Sequence, residues 1–266
     1  MPGVPVTVSL EPRAQRGLVV YPIDDVARLG VDAFVTSRDG GVSHAPYDTL
    51  NLGDHVGDDP AAVRENRRRV ANAAGVEIDR LILVNQVHGR GVVTVAGPIG
   101  PTSADAIVSD ASDVALVVMV ADCAPVLLVD EASTRFAVAH AGWRGLVAGV
   151  LGEAVAHFAD ASTLHAVVGP TISQLGYQVG SEVAEHFGGV TGVLVADEEG
   201  RWRLDVAGVV VHQLREAGIG DERISRVAQS TDGGHPFFSD RATRPCGRNA
   251  LVARRNMSAA MHEGLQ

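Results

Sequence analysis

Three segments of this chain carry residue types that can do chemistry: Asn85-Gln86-Val87-His88-Gly89, Ala121-Asp122-Cys123-Ala124-Pro125 and Ala139-His140-Ala141-Gly142-Trp143-Arg144-Gly145. Each follows an apolar, strand-like run, where loops tend to carry function. Zinc favours imidazole and thiolate donors, and a catalytic zinc site uses three protein ligands with one open position. His88, Cys123 and His140 supply such a set. The same residues also read as a Cys123 nucleophile with a histidine base, or as a structural cysteine and two satisfied core histidines. No CxxC, HExxH or short ligand knuckle is present, so spacing alone leaves all three readings open. Asp122 could orient an imidazole in either functional reading, or simply form a strand-end turn.

The elements around these segments are short. Leu81–Val84, Val92–Val95, Ala106–Val108, Val114–Val120, Val126–Val129, Phe136–Ala139 and Leu164–Val168 read as strands, and Ala33–Ser37 as an earlier one followed by the turn Asp39-Gly40-Gly41. Several are apolar without alternation, which predicts strands covered on both faces. Asp59 as N-cap, Pro60 in the first turn and Gly75 as stop predict a helix between them, with Arg67–Arg69 facing water. Further helices are expected over Leu146–Phe158, Glu182–Phe187 and Val206–Ala217, the last capped by Asp205 and ended by Gly218. Strands with isolated helices, rather than strict alternation, favour α+β over a doubly wound sheet.

The 266 residues show no repeat, linker or low-complexity stretch, so one domain over 1–266 is expected. A net charge of −10 argues against general binding to nucleic acid or anionic membrane. Lysine is absent, which excludes Schiff-base and P-loop lysine chemistry. Any anion must therefore be met by arginine, backbone amides or a metal. Two cysteines make no disulfide framework, the first residues lack the pattern of a secretory signal, and no apolar run is long enough for a membrane span. A cytoplasmic protein is expected.

The runs SRDGGVS (37–43), LNLGDHVGDD (50–59), VRENRRR (63–69), NQVHG (85–89), ADCAPVLL (121–128), AVAHAGWRG (137–145), GPTIS (169–173) and the tail FFSDR…GR resemble one family from about Asp32 to Arg254. It is the laccase-domain family, once called multicopper polyphenol oxidases and now regarded as zinc-dependent purine nucleoside phosphorylases. NQVHG, ADCAPVLL and AHAGWRG in that order form a very specific combination. The resemblance implies zinc on His88, Cys123 and His140, with copper as a conceivable substitute. It implies phosphorolysis of adenosine, inosine, guanosine and methylthioadenosine, and deamination of adenosine. It also implies a single α+β domain, a mixed β-sandwich with flanking helices, similar to the fold of a cytotoxic necrotizing factor with a Cys/His deamidase site. That similarity keeps open a Cys/His hydrolase or amidase, for which peptidoglycan-precursor editing has been suggested in the family. Polyphenol oxidation fits poorly: it needs several coppers and many paired histidines, and the chain has no HxH.

Phosphorolysis and deamination ask for different equipment. An open zinc site lowers the pKa of bound water, which suits attack on a purine carbon, although the H-x-E and P-C-x-x-C signature of cytidine deaminases is absent. Phosphorolysis needs cations for phosphate, and Arg38, Arg144, Arg241, Arg244 and Arg248 are the candidates. Asn51, Asn85 and Gln86 either read sugar hydroxyls or brace loops. Phe237 and Phe238 either stack a purine or fill the core. GPTIS reads as a tight turn more readily than as an anion cradle. The tail departs from the family pattern FFSYRRDGxTGR: Asp240 stands in place of the aromatic, and Pro245-Cys246 replaces Lys/Thr-like positions. Substrate preference is the property this departure touches; metal binding is not. The expected partners are a nucleoside and phosphate, in a monomer or small homo-oligomer.

Overall fold

The structure, a computed structural model, describes residues 5–233 and 236–256. The opening residues 1–4 and the end at 257–266 therefore lie outside the described residues. The fold is α+β. A seven-stranded sheet runs in the order Val6–Val8, Ile224–Val227, Leu164–Val168, Ala124–Asp130, Phe136–Ala141, Ala106–Ser109, Val92–Val95. A six-stranded sheet runs Arg13–Gln15, Leu18–Pro22, Val31–Thr36, Asn249–Arg255, Ala115–Val120, Leu81–Ile82. Both mix parallel and antiparallel pairs.

Pleating explains the non-alternating strands. In Ala124–Asp130, Leu127 and Val129 face the layer between the two sheets, while Ala124, Val126 and Leu128 face the helices. In Ala115–Val120, Leu116 and Val118 point into the same central layer and Ala115, Val117 and Met119 point outward to a third cluster. Each face meets a covering layer, so neither face is polar. Phe136 is fully buried in the central layer; truncating such a side chain to alanine typically costs about 3–5 kcal/mol.

Among the described residues five α-helices cover the outer faces. Helix α1 (Pro60–Ala74) lies on the six-stranded sheet; Asp59 caps it by accepting from the Ala61 amide, and Gly75 ends it in the left-handed region at φ 74°. Arg68 faces water, but Arg67 is largely covered and donates from Nε to the Leu52 carbonyl, so the arginine run is only partly solvated. The helix expected over Leu146–Phe158 is instead two, α2 (Trp143–Ala148) and α3 (Val150–Val155). Gly149 breaks them by adopting φ 87°, a conformation open to glycine at little cost. Helix α4 (Ser181–Ala184) is shorter than expected, and α5 (Val206–Glu216) starts where Asp205 accepts from the Gly208 amide. Leu81–Ile82 pairs as a strand, leaving Leu83 and Val84 to lead into the His88 loop. A small sheet of Gln178–Val179, Trp202–Leu204 and Leu194–Ala196 follows directly on Tyr177. Among the described residues no helix is long and apolar enough to cross a membrane.

Candidate metal centre and its pocket

His140 lies in the strand Phe136–Ala141, 3% exposed, and Cys123 sits in the turn between Ala115–Val120 and Ala124–Asp130. His88 arrives on the loop after Val84. The three ligand atoms lie within 4.8 Å of one another, the single such group of three or more His, Cys, Asp or Glu donors among the described residues. The imidazoles meet edge to face at 4.6 Å between centroids. Gly142 keeps the space open: a Cβ there would stand 2.8 Å from Cys123 Sγ and 3.0 Å from His88 Cδ2. One thiolate, two imidazoles and a clear cradle are the donor set of a three-ligand metal site.

Two residues at the site adopt left-handed backbone: the ligand His88 at φ 57°, and Asp122, the neighbour of Cys123, at φ 87°. Such conformations persist where neighbours over-determine them. Asp105 does so for His88. Its carboxylate, fully buried, accepts from the amides of Val87, His88 and Gly89, and its Oδ1 also faces His140 Nδ1 at 2.9 Å. Burial alone would raise the Asp105 pKa, but His140 and the Gly89 and His88 amides outweigh it and hold it below the usual carboxylate value. The ionised carboxylate can only accept, so His140 donates from Nδ1 and presents Nε2 to the site.

Asp122 is held differently. Its carboxylate accepts from Thr231 Oγ1 at 2.6 Å and the Arg241 amide at 2.7 Å, and its carbonyl accepts from Thr171 Oγ1 and the Ile172 amide. The expectation that Asp122 orients an imidazole is therefore corrected: Asp105 does, and Asp122 shapes the turn that delivers Cys123. The sequence hint was an acid at the head of the apolar strand Ala106–Ser109, a place where a carboxylate is buried only if paired.

Burial would raise the Cys123 thiol, yet His140 and His88 overcome it and bring it down to about 6. Burial likewise opposes charge on His140, but Cys123 and Asp105 push it up to about 9. Without metal, the pair at neutral pH is thiolate and imidazolium.

The set opens into a pocket of about 370 Å³. Of the residues expected from sequence, it gathers Gln86, Asp122, Arg144, Arg241, Arg244 and Arg248 beside the three ligands. Gln86 is pinned, its side-chain amide pairing with both the carbonyl and the amide of Met119. Four others lie outside the lining. Arg38 pairs with Asp48 and lies over the Phe238 ring. Asn51 is fully buried, binding Gly53, Asp58 and the Arg248 amide. Asn85 is bonded to Ser103. Phe238, 1% exposed, is a core residue, as is Phe237 against Tyr21, so neither can stack a purine. GPTIS is a braced turn, with Thr171 on the Asp122 carbonyl and Ser173 on Asp232.

Sequence reasoning missed three pocket residues. Tyr177 carries Arg241 at 5.0 Å over its ring, and burial, reinforced by Cys123, raises its hydroxyl to about 12. Trp143 holds Arg144 at 4.3 Å and His186 at 6.2 Å. His55 stands at the rim, where burial and then Arg248 lower its pKa. Trp143 and His55 lie inside motif runs, where an aromatic ring carries no spacing signal of its own, and Tyr177 lies outside every run.

Comparison with known proteins gives a consistent set of relatives. The sequence pattern of the family described as "Multi-copper polyphenol oxidoreductase laccase" matches residues 32–256. "Purine nucleoside phosphorylase ORF3" of Streptomyces griseus is 43% identical over 224 residues, covering 81% of this chain and 90% of the relative. "Purine nucleoside phosphorylase YfiH" of Escherichia coli is 40% identical over 230 residues, covering 83% and 92%. Among solved structures, YlmD from Geobacillus stearothermophilus superposes with a TM-score of 0.85 at 27% identity, covering 94% of this chain and 100% of that one. A Bacillus licheniformis protein, YfiH, also gives 0.85, at 25% identity, covering 92% and 98%.

Proposed function

The chain belongs to the multi-copper polyphenol oxidoreductase laccase family, and from that premise we propose that it is a zinc-dependent purine nucleoside phosphorylase. Adenosine, inosine, guanosine and methylthioadenosine are the proposed substrates, with adenosine deamination as a second activity, in the cytoplasm. The observation that carries this reading is the wall of the pocket. Arg144, Arg241, Arg244 and Arg248 line it against two carboxylates, Asp122 and Asp240, in a protein of net charge −10. Four guanidinium groups beside a metal-type ligand set suit an anionic co-substrate, and relatives about 40% identical carry the name purine nucleoside phosphorylase.

When bound, zinc on His88, Cys123 and His140 supplies Lewis acidity to an oxygen of substrate or water. The chain's own residues do the rest. Asp105 fixes the His140 tautomer and the His88 loop. The arginines neutralise phosphate, and their stacking on Trp143 and Tyr177 limits the freedom they lose on binding it. Asp122, whose carboxylate is already bonded to Thr231 and Arg241, holds the Cys123 turn.

A second reading draws on one specific observation: Cys123, His140 and Asp105 are linked in sequence as thiolate, imidazolium and carboxylate, the arrangement of a cysteine hydrolase. The space beside Gly142 and the convergence of His88 on the same point favour the metal. Chromatography of products from adenosine, with and without phosphate, tests the reading. Adenine with ribose 1-phosphate supports it; free ribose, or inosine alone, counts against it.

A further inference from the structure

The cations of the pocket are not equally available. Among the described residues Arg144 makes no ion pair or hydrogen bond, only its stack on Trp143. Arg241 donates to the Gln178 carbonyl. Arg244 and Arg248, however, converge on one carboxylate. Asp240 Oδ2 accepts from Arg244, and Oδ1 faces Arg248 Nη2 at 3.3 Å. Arg248 is otherwise fastened, its Nη1 donating to the carbonyls of Cys246 and Gly247. Arg244 is 74% exposed and Asp240 24%, so this pair can open without unpacking the core.

A carboxylate with two oxygens on two guanidiniums presents the same acceptor pattern as an oxyanion of phosphate. Resting on the phosphorylase reading above, we propose that Asp240 is a specificity-determining residue that competes internally with phosphate for Arg244 and Arg248. Phosphate entry displaces Asp240 from these arginines, and the displaced carboxylate remains beside the anion and repels it. Two consequences follow from the charge arithmetic. Phosphate is bound weakly for a pocket with four arginines, and a monoanionic or neutral co-substrate is disfavoured less than phosphate dianion. The role is opposite in sign to that of a residue that merely positions the arginines, whose loss would weaken phosphate binding.

The experiment is direct titration of inorganic phosphate by calorimetry into wild-type holoprotein and Asp240→Asn, at low and moderate ionic strength. Steady-state KM values for phosphate and nucleoside are measured alongside. Asparagine keeps the shape and one acceptor while removing the charge. The expected result is a gain in phosphate affinity of about fivefold or more at low salt, shrinking as salt screens the lost repulsion. The nucleoside KM, metal content and melting temperature should stay unchanged. Asp240→Ser, which also lacks the charge, should show the same gain and guards against a local effect of the asparagine. Wild-type binding with equal or weaker binding by both variants overturns the inference and leaves the phosphorylase reading standing. Absence of phosphate binding by all three proteins overturns both.

Discussion

A single oxygen of Asp105 ties His88 to His140: Oδ1 accepts from the His88 amide at 2.9 Å and faces His140 Nδ1 at 2.9 Å. Two candidate ligands from distant parts of the chain are thus aimed by one buried carboxylate. Replacing it with asparagine leaves one acceptor for both jobs and an amide facing N–H groups. Asp105→Asn is therefore expected to weaken metal affinity roughly 10–100-fold, measured by competition with a chromophoric chelator. Unchanged affinity would mean that the carboxylate serves only the loop.

Gly142 supplies a test that separates site from fold. Its φ of −78° suits any residue, so alanine there strains no backbone, yet its Cβ would stand 2.8 Å from Cys123 Sγ. Gly142→Ala should fold, as judged by circular dichroism, and lose most of its metal by elemental analysis. Full metal retention would place the ion elsewhere.

The thiol gives a pH signature. With Cys123 lowered to about 6, alkylation of metal-free protein by iodoacetamide should rise as pH increases through about 6 and be near its plateau at 7. An ordinary thiol would still be rising at its reference value of roughly 8.5. Metal should protect Cys123, and chelation should expose it. Cys246, in the tail, is 3% exposed and serves as the internal control, labelling slowly in both states. Fast labelling of Cys123 in protein holding a full metal equivalent would favour the hydrolase reading.

The same pair predicts proton release on metal binding. Between about 6 and about 9 the metal-free site holds thiolate and imidazolium, so binding must expel one proton, from His140. Below about 6 the Cys123 proton must leave as well, and affinity should fall more steeply. Calorimetry of zinc binding in buffers of different ionisation enthalpy reads this number directly, and release of no proton at pH 7.5 would refute the ion-pair state.

The phosphate wall is tested by Arg144→Ala and Arg241→Ala. Each removes a charge-assisted contact worth about 1.5–3 kcal/mol, so kcat/KM for phosphate should drop by roughly tenfold to 150-fold with metal content intact. Equal loss of deamination would assign these residues to nucleoside binding instead.

Much of this was legible in the sequence. The α1 boundaries follow from Asp59, Pro60 and Gly75 because capping is local chemistry. The apolar strands signalled two-sided burial because every pleat position was apolar. The rest depended on contacts distant in sequence. Asp105 meets His140 only when Ala106–Ser109 pairs with Phe136–Ala141. Phe238 and Asn51 looked available because their partners are not local: Phe238 pairs with the Asn249 side chain, 11 residues on, and Asn51 accepts from the Arg248 amide, 197 residues on. The break at Gly149 was written in the sequence, but its helical flanks outweighed one glycine.

The central claim is that a metal on His88, Cys123 and His140 supports attack by phosphate on a purine nucleoside. It is tested most directly by chromatographing products from adenosine and phosphate in three samples: as purified, chelated, and chelated then resupplied with zinc. The account predicts adenine and ribose 1-phosphate in the first, loss of both in the second and recovery in the third. Base release that survives chelation, or that proceeds equally without phosphate, would contradict it.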